Sequence, residues 1–184
     1  MLMKNPTFDA FVRDMSALVH KARGDERLIL THGRERLAEL VAKDDWLPAE
    51  FAQANDGHFM QYVLHADHSL PLTILSAVWG PGQSATPHNH TVWGLIGQLR
   101  GAEMSRDFDP PQEGQALKLR SESVLRSGQT AVVSPSVGDV HEVRNVADGV
   151  SVSIHVYGAD LPAIEHRRRR FDAATGVARP FNAY

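Results

Sequence analysis

The sequence predicts a mainly β chain, a jelly roll or small barrel preceded by α-helices. Three observations carry this. From about Phe59 onward, short β-branched or alternating runs at Leu72–Trp79, 92–99, Thr130–Val133 and 150–157 are broken by Gly, Pro, Asn and Asp. Before them, apolar residues recur at helical rather than strand spacing. Finally, 184 residues with 42% hydrophobic content suffice for one well-packed core and are too few for two comfortable ones.

Asn5-Pro6-Thr7 reads as a helix entry, and Phe8, Phe11, Val12, Met15, Leu18 and Val19 then form one apolar face. A second amphipathic stretch covers 26–43, with Leu28, Leu30, Leu37, Leu40 and Val41 as candidate core positions. The whole chain, 1–184, is expected to be one domain: a helical part over 1–55, a β-barrel over 56–171 and a C-terminal tail over 172–184. A barrel of short antiparallel strands can hold a ligand once one end is left open. No internal repeat and no low-complexity segment interrupts it.

The formal charge of -3 and pI near 6.3 give no attraction for nucleic acid or an anionic membrane surface, so a small-molecule partner is the expectation. The first fifteen residues, MLMKNPTFDAFVRDM, hold no signal-like apolar run, and no segment approaches the roughly 20 apolar residues that span a bilayer. Cytoplasmic residence is the simplest reading. The absence of cysteine removes disulfides, thiolate ligands and a cysteine nucleophile together. A metal would have to sit on His, Asp or Glu.

The strongest motif is Gly82-Gln-Ser-Ala-Thr-Pro-His88-Asn-His90-Thr-Val-Trp-Gly94, followed by Gly101. Residues two apart in a strand share a face, so His88 and His90 can aim at one ion inside a barrel. About fifty residues later, Pro135-Ser-Val-Gly138-Asp-Val-His141-Glu-Val-Arg-Asn145 supplies a third histidine after a Pro/Gly turn. Together these segments resemble the two sequence motifs of the cupin superfamily. Many cupins carry a glutamate four residues after the second histidine, where this chain has Gly94. A neutral three-histidine face leaves a bound Fe(II) its full double charge, which attracts an anionic thiolate. Three ligands on one face also leave about three octahedral positions open, as an oxygenase requires. Zn(II) or Ni(II) fits three histidines too, so iron, one Fe(II) per chain, is what the resemblance implies.

In Ser153-Ile-His155-Val-Tyr157 the period of two puts Ser153, His155 and Tyr157 on one face of the last clear strand. Alone this reads as a strand with a solvated side. With the two metal motifs it resembles the Ser-x-His-x-Tyr relay of the thiol dioxygenases, the cupin family containing cysteine dioxygenase and 3-mercaptopropionate dioxygenase. The resemblance covers residues 61–171. It implies that Ser153 orients His155, that His155 orients the Tyr157 hydroxyl, and that this hydroxyl meets substrate or O₂ near iron.

Animal-type cysteine dioxygenases bind the substrate carboxylate through an arginine on an early strand and carry a cysteine cross-linked to the tyrosine. Here Met60-Gln61-Tyr62-Val63-Leu64-His65 has no arginine, and Gly94 lies near the cysteine's place. The later run His166-Arg167-Arg168-Arg169-Arg170-Phe171 resembles that of the 3-mercaptopropionate enzymes, in which a C-terminal arginine holds the carboxylate. Counting back from Phe171 selects Arg168, with Arg167 open as the alternative; one guanidinium can take both carboxylate oxygens. Gln61 matches a glutamine those enzymes place close to the active site.

The implied reaction adds both atoms of O₂ to the sulfur of a small thiol carboxylate, giving a sulfinate, with 3-mercaptopropionate to 3-sulfinopropionate as the first choice. The rivals are an L-cysteine dioxygenase and a non-catalytic metal-binding cupin acting as a sensor. His65 and His68 are read as surface residues beside a turn at Ala66-Asp67; His20, His32 and His58 lie outside every motif. Trp46, Trp79 and Trp93 are read as packing residues, with Trp93 turned away from the metal by strand parity.

Overall fold

A computed structural model describes residues 3–67 and 69–181. Two helices lead, α1 (Pro6–Ala22) and α2 (Glu26–Val41). Asn5 caps α1, its Oδ1 accepting from the backbone N–H groups of Thr7 at 2.9 Å and Phe8 at 3.3 Å, with Pro6 at the first helical position. Arg23 (φ 49°) and Gly24 (φ 88°) turn the chain left-handed and end the helix. Asp25 then caps α2 by accepting from Leu28 N at 3.1 Å. Among the described residues no helix is long and apolar enough to cross a membrane.

Among the described residues eleven strands follow: β1 (Met60–Asp67), β2 (Leu72–Trp79), β3 (Ser84–His88), β4 (Gly94–Arg100), β5 (Ala102–Phe108), β6 (Leu119–Arg126), β7 (Thr130–Val133), β8 (Val140–Asn145), β9 (Ser151–Tyr157), β10 (Arg169–Phe171) and β11 (Ala178–Pro180). A short helix, α3 (Leu161–Ile164), separates β9 from β10. The strands form two antiparallel sheets, ordered β1-β2-β9-β4-β7 and β11-β10-β3-β8-β5-β6. This is the cupin, double-stranded β-helix architecture, with the two N-terminal helices packed outside the first sheet.

Strand alternation divides the core. On one side of the first sheet Leu72, Ile74, Val78, Leu95, Leu99, Val152, Ile154 and Val156 meet Phe8, Met15, Leu37 and Trp46 of the helical part. On the other, Leu75, Ala77, Trp79, Ile96 and Tyr157 meet Ala85, Val133 and Val143 between the sheets. Gly97 lets α2 lie close on β4: a Cβ there would come within 2.8 Å of Leu37 Cγ and 2.9 Å of Val41 Cγ1.

Three expectations are corrected. β1 runs through Ala66 and Asp67, with the turn only after them, and a bulge between Val63 and His65 leaves His65 half-buried rather than on the surface. His68 lies outside the described residues. The segment expected as a tail forms β11, which pairs with β10 through Arg169↔Pro180, Arg170↔Arg179 and Phe171↔Ala178. Trp46, Trp79 and Trp93 do pack: Trp46 stacks on Phe8 at 5.5 Å, Trp79 on Phe59 at 4.3 Å, and Trp93 lies against the helix-side core.

Candidate metal centre and polar relay

The register of the second sheet brings two histidines together before any metal is considered. His88, the last residue of β3, pairs directly with His141 on β8, and side chains opposite one another in adjacent antiparallel strands are close neighbours. Their ring centroids lie 4.9 Å apart. His90 joins them by a route that strand parity does not describe, because β3 has already ended. Thr91 takes a left-handed conformation (φ 64°), and Asp139 grips the turn. The Asp139 carboxylate accepts from His90 N at 2.8 Å and Thr91 N at 2.9 Å, and from His90 Nδ1 at 3.2 Å. The expectation of one strand face for both histidines is therefore corrected to a strand end plus a clamped turn. The His90 ring comes within 4.8 Å of His141 and 5.0 Å of His88.

Each ring has its Nδ1 engaged on the outer side. His88 Nδ1–H donates to Thr86 O at 2.8 Å, and His90 Nδ1–H to Asp139. His141 Nδ1–H donates to Ser105 Oγ at 3.2 Å, whose own hydroxyl donates to Asp107 Oδ1 at 3.2 Å. Acceptors at Nδ1 fix the tautomer that carries its lone pair on Nε2, and this is how second partners orient metal-binding histidines. One ligand atom from each of the three rings falls within 4.8 Å of the others. His90 Nε2 is buried and makes no hydrogen bond.

Burial keeps these rings neutral. His88 and His90 are held well below the usual histidine range, first by desolvation and then by neighbouring His141. Burial lowers His141 to about 4, with Asp107 and Asp139 pulling the other way. The close contact of His90 with Asp139 is thus a hydrogen bond rather than an ion pair. Three neutral imidazoles with a dry, unpartnered Nε2 among them fit a divalent transition metal.

The first sheet contributes the second wall. Within β9, His155 Nε2–H donates to Ser153 Oγ at 2.9 Å, and the Tyr157 hydroxyl donates to His155 Nδ1 at 2.8 Å. The Tyr157 ring stacks on His90 at 5.5 Å, so the line of hydrogen bonds ends against the histidine cluster. Burial pushes His155 down to about 3, so it too is neutral. Gly94 faces Tyr157 across β4 and β9, and a Cβ there would stand 2.8 Å from Tyr157 Cε1 and from Val133 Cγ2. A glutamate at this position, as in many cupins, would collide with the tyrosine.

Of the four consecutive arginines, Arg168 alone is buried, with 5% of its surface exposed. Its guanidinium lies 4.6 Å from the centre of the Phe181 ring and donates through Nε to Asn89 O at 3.3 Å; Phe181 stacks on His88 at 4.7 Å. Its charge helps to lower all three cluster histidines and His155. Arg167 and Arg170 are exposed, and Arg169 turns back to the carbonyls of His166 and Arg168. Gln61 pairs with Ala77, which in turn pairs with Ser153, so its side chain shares the relay's face of the first sheet, and its Oε1 is buried without a hydrogen bond.

Sequence reasoning missed Asp139, Ser105 and Phe181. Asp139 had a usable signal, a carboxylate two residues before a candidate ligand. Phe181 had none, since only the β10–β11 hairpin returns it to His88.

No family model matches the chain. It is 28% identical over 138 residues to cysteine dioxygenase type 1 of Danio rerio, an alignment covering 72% of this chain and 64% of that protein. Among solved structures it is similar to a double-stranded β-helix protein of Klebsiella pneumoniae (TM-score 0.48, 16% identity, 60% of this chain and 84% of that one). A cupin superfamily protein of Desulfitobacterium hafniense is similar to the same degree (TM-score 0.47, 15% identity, 64% and 94%). The chain is thus a distant relative of cysteine dioxygenase with a buried three-histidine site.

Proposed function

We propose that this chain is an Fe(II)-dependent thiol dioxygenase that converts a small thiol carboxylate to its sulfinate, with 3-mercaptopropionate as substrate. The observation that carries the reading is the hydrogen-bonded line Ser153–His155–Tyr157 ending on His90, with the buried Arg168 beside the same cluster. A pocket that merely holds a metal needs neither a neutral histidine wired to a tyrosine nor a desolvated guanidinium.

His88, His90 and His141 would hold the iron, one per chain. Bound there, Fe(II) would supply open positions for the thiolate sulfur and O₂ and the redox chemistry that joins them. The remaining work belongs to the protein. Arg168 receives the substrate carboxylate as a bidentate partner, offsetting its own unpaired, buried charge. Tyr157 is positioned by His155 and offers its hydroxyl at the reacting end. His155 stays neutral and so takes a proton at Nδ1 as it releases another from Nε2, instead of storing charge. Gln61 lines the relay side of the interior and offers its free carbonyl oxygen to substrate.

Similarity to cysteine dioxygenase supports a second substrate, L-cysteine, which differs by an α-ammonium group. Anaerobic iron reconstitution followed by O₂-uptake kinetics on 3-mercaptopropionate, L-cysteine and cysteamine tests both. The expected result is a preference of at least about tenfold in kcat/KM for 3-mercaptopropionate, equivalent to roughly 1.4 kcal/mol. Equal or better use of cysteine refutes the substrate choice, and no sulfinate from any thiol refutes the activity.

A further inference from the structure

Behind Ser153 the interior holds one more titratable group. Where the chain crosses from one sheet to the other at Gly101 (φ 79°), the second residue of β5 is Glu103, with 4% of its surface exposed and no cation among its hydrogen-bond partners. Its Oε1 accepts from Ser151 Oγ at 2.8 Å and Gln98 Nε2 at 3.1 Å, and Ser153 stands close enough to the same carboxyl to favour its ionised form. Glu103, His155 and His141 share a small interior cavity of about 70 Å³ between the sheets, large enough for water. An acid this deep without a counter-charge is costly.

We propose that Glu103 is the far terminus of the hydrogen-bond line, taking up the Tyr157 proton through His155 and Ser153 and returning it. The inference rests on the relay reading given above, and Glu103 acts through other residues without touching substrate. As the Tyr157 O–H bond breaks, its proton passes to His155 Nδ1; the proton on His155 Nε2 passes to Ser153 Oγ; the Ser153 proton passes to the Glu103 carboxylate. The net change is a tyrosinate, a carboxylic acid and the other tautomer of a still neutral His155, with no electron moved. The reverse sequence restores the start.

Burial raises Glu103 to about 7, against the pull of hydrogen bonds from Ser151 and Gln98 and of the nearby Ser153. This roughly halves its mismatch with a tyrosine, ordinarily near 10, compared with an ordinary glutamate near 4.3. The groups facing it are Gln98 on β4, Ser151, Ser153 and His155 on β9, Asn145 and His141 on β8, and Asp107 on its own strand. His141 and His155 are neutral, and Asp107 is tied to Ser105 and Ser121. The Arg100 guanidinium is directed to Asp44 at the surface.

The test uses the full chain and Glu103→Gln, which keeps the shape and loses the acid. Glu103→Asp provides a variant that keeps the acid and shortens its reach. In iron-reconstituted protein, kcat is expected to fall roughly tenfold at pH 7 in Glu103→Gln, with loss of a pH limb near 7 and of the solvent isotope effect in D₂O; Glu103→Asp should restore part of the limb. In metal-free protein, infrared difference spectra should show a protonated-carboxyl band that titrates near pH 7, is absent from Glu103→Gln and shifts in Ser153→Ala. An unchanged pH limb and isotope effect in Glu103→Gln, beside a slow Tyr157→Phe, overturns the Glu103 role alone. Normal turnover in Tyr157→Phe overturns the relay and this inference with it. A carboxyl band indifferent to Ser153→Ala breaks the link between Ser153 and Glu103.

Discussion

Asp139 offers the sharpest test of how the histidine cluster is held, because one carboxylate fixes a turn and a ring at once. Asp139→Ala removes the acceptor for His90 N, Thr91 N and His90 Nδ1. Hydrogen bonds to a charged group are worth about 1.5–3 kcal/mol each. Two short backbone bonds therefore sum to about 3–6 kcal/mol, part of which water recovers at a side chain that is 14% exposed. The left-handed Thr91 adds a cost of about 1–2 kcal/mol that the clamp no longer offsets. Losing such an outer partner ordinarily lowers metal affinity about 10–100-fold, or roughly 1.4–2.7 kcal/mol. The assay is a competitive Fe(II) or Co(II) titration against a chromophoric chelator, with urea unfolding of the metal-free protein beside it. Asp139→Asn keeps one acceptor oxygen and is expected to fall between. Adding Thr91→Gly to Asp139→Ala should recover part of the stability by relieving the turn. Metal affinity in Asp139→Ala within about threefold of the parent refutes the reasoning.

Four further outcomes are expected. Tyr157→Phe and His155→Ala should retain metal, measured by elemental analysis, yet turn over roughly 10²-fold more slowly; normal rates in both reduce the row to a structural role. Arg168→Ala should lose about 2–5 kcal/mol in kcat/KM for a thiol carboxylate and far less for cysteamine, which has no carboxylate, and Arg168→Lys should not restore it fully, as thiol-panel kinetics will show. Gly97→Ala should cost about 1–3 kcal/mol in urea unfolding, because Leu37 and Val41 leave no room for a methyl group. The His155 ring, neutral down to about pH 3 when folded and near 6.5 when unfolded, takes up fewer protons in the folded state between those values. Its contribution is therefore present above about 6.5 and lost as pH falls, by about 2 kcal/mol at pH 5. Metal-free parent and His155→Gln should diverge accordingly in unfolding measurements, whereas parallel pH profiles count against a buried neutral ring.

Much of this architecture was legible because it depends on period. The alternation in Leu72–Trp79 and Thr130–Val133 reproduces β2 and β7 to the residue, and the face shared by Ser153, His155 and Tyr157 follows from the pleat alone. The convergence of His88 and His90 was anticipated by the wrong geometry, since period two stops where a strand stops and a left-handed Thr91 takes over. Asp139 offered a signal in its place two residues before His141, but its reach to His90, like that of Phe181 to His88, spans about 50 to 90 positions and becomes visible only once the sheets are assembled. Glu103 is harder still: a charged residue on a strand reads as solvated, and only its place beside Gln98 and Ser151 in the assembled barrel shows it buried.

The division of the site between two sheets has a consequence for how such a protein can be altered. The three histidines hang on β3, the turn after it, and β8, whereas Tyr157 and His155 hang on β9 of the opposite sheet, and Ile96, Val133 and Val143 pack between the walls. The histidine cluster and the Ser153–His155–Tyr157 line are thus two modules on separate sheets, sharing an apolar spacer and meeting where Tyr157 stacks on His90. Thinning that spacer, as in Val143→Ala, would leave each module intact in isolation and yet spoil their alignment, giving a chain that loads its ion and idles.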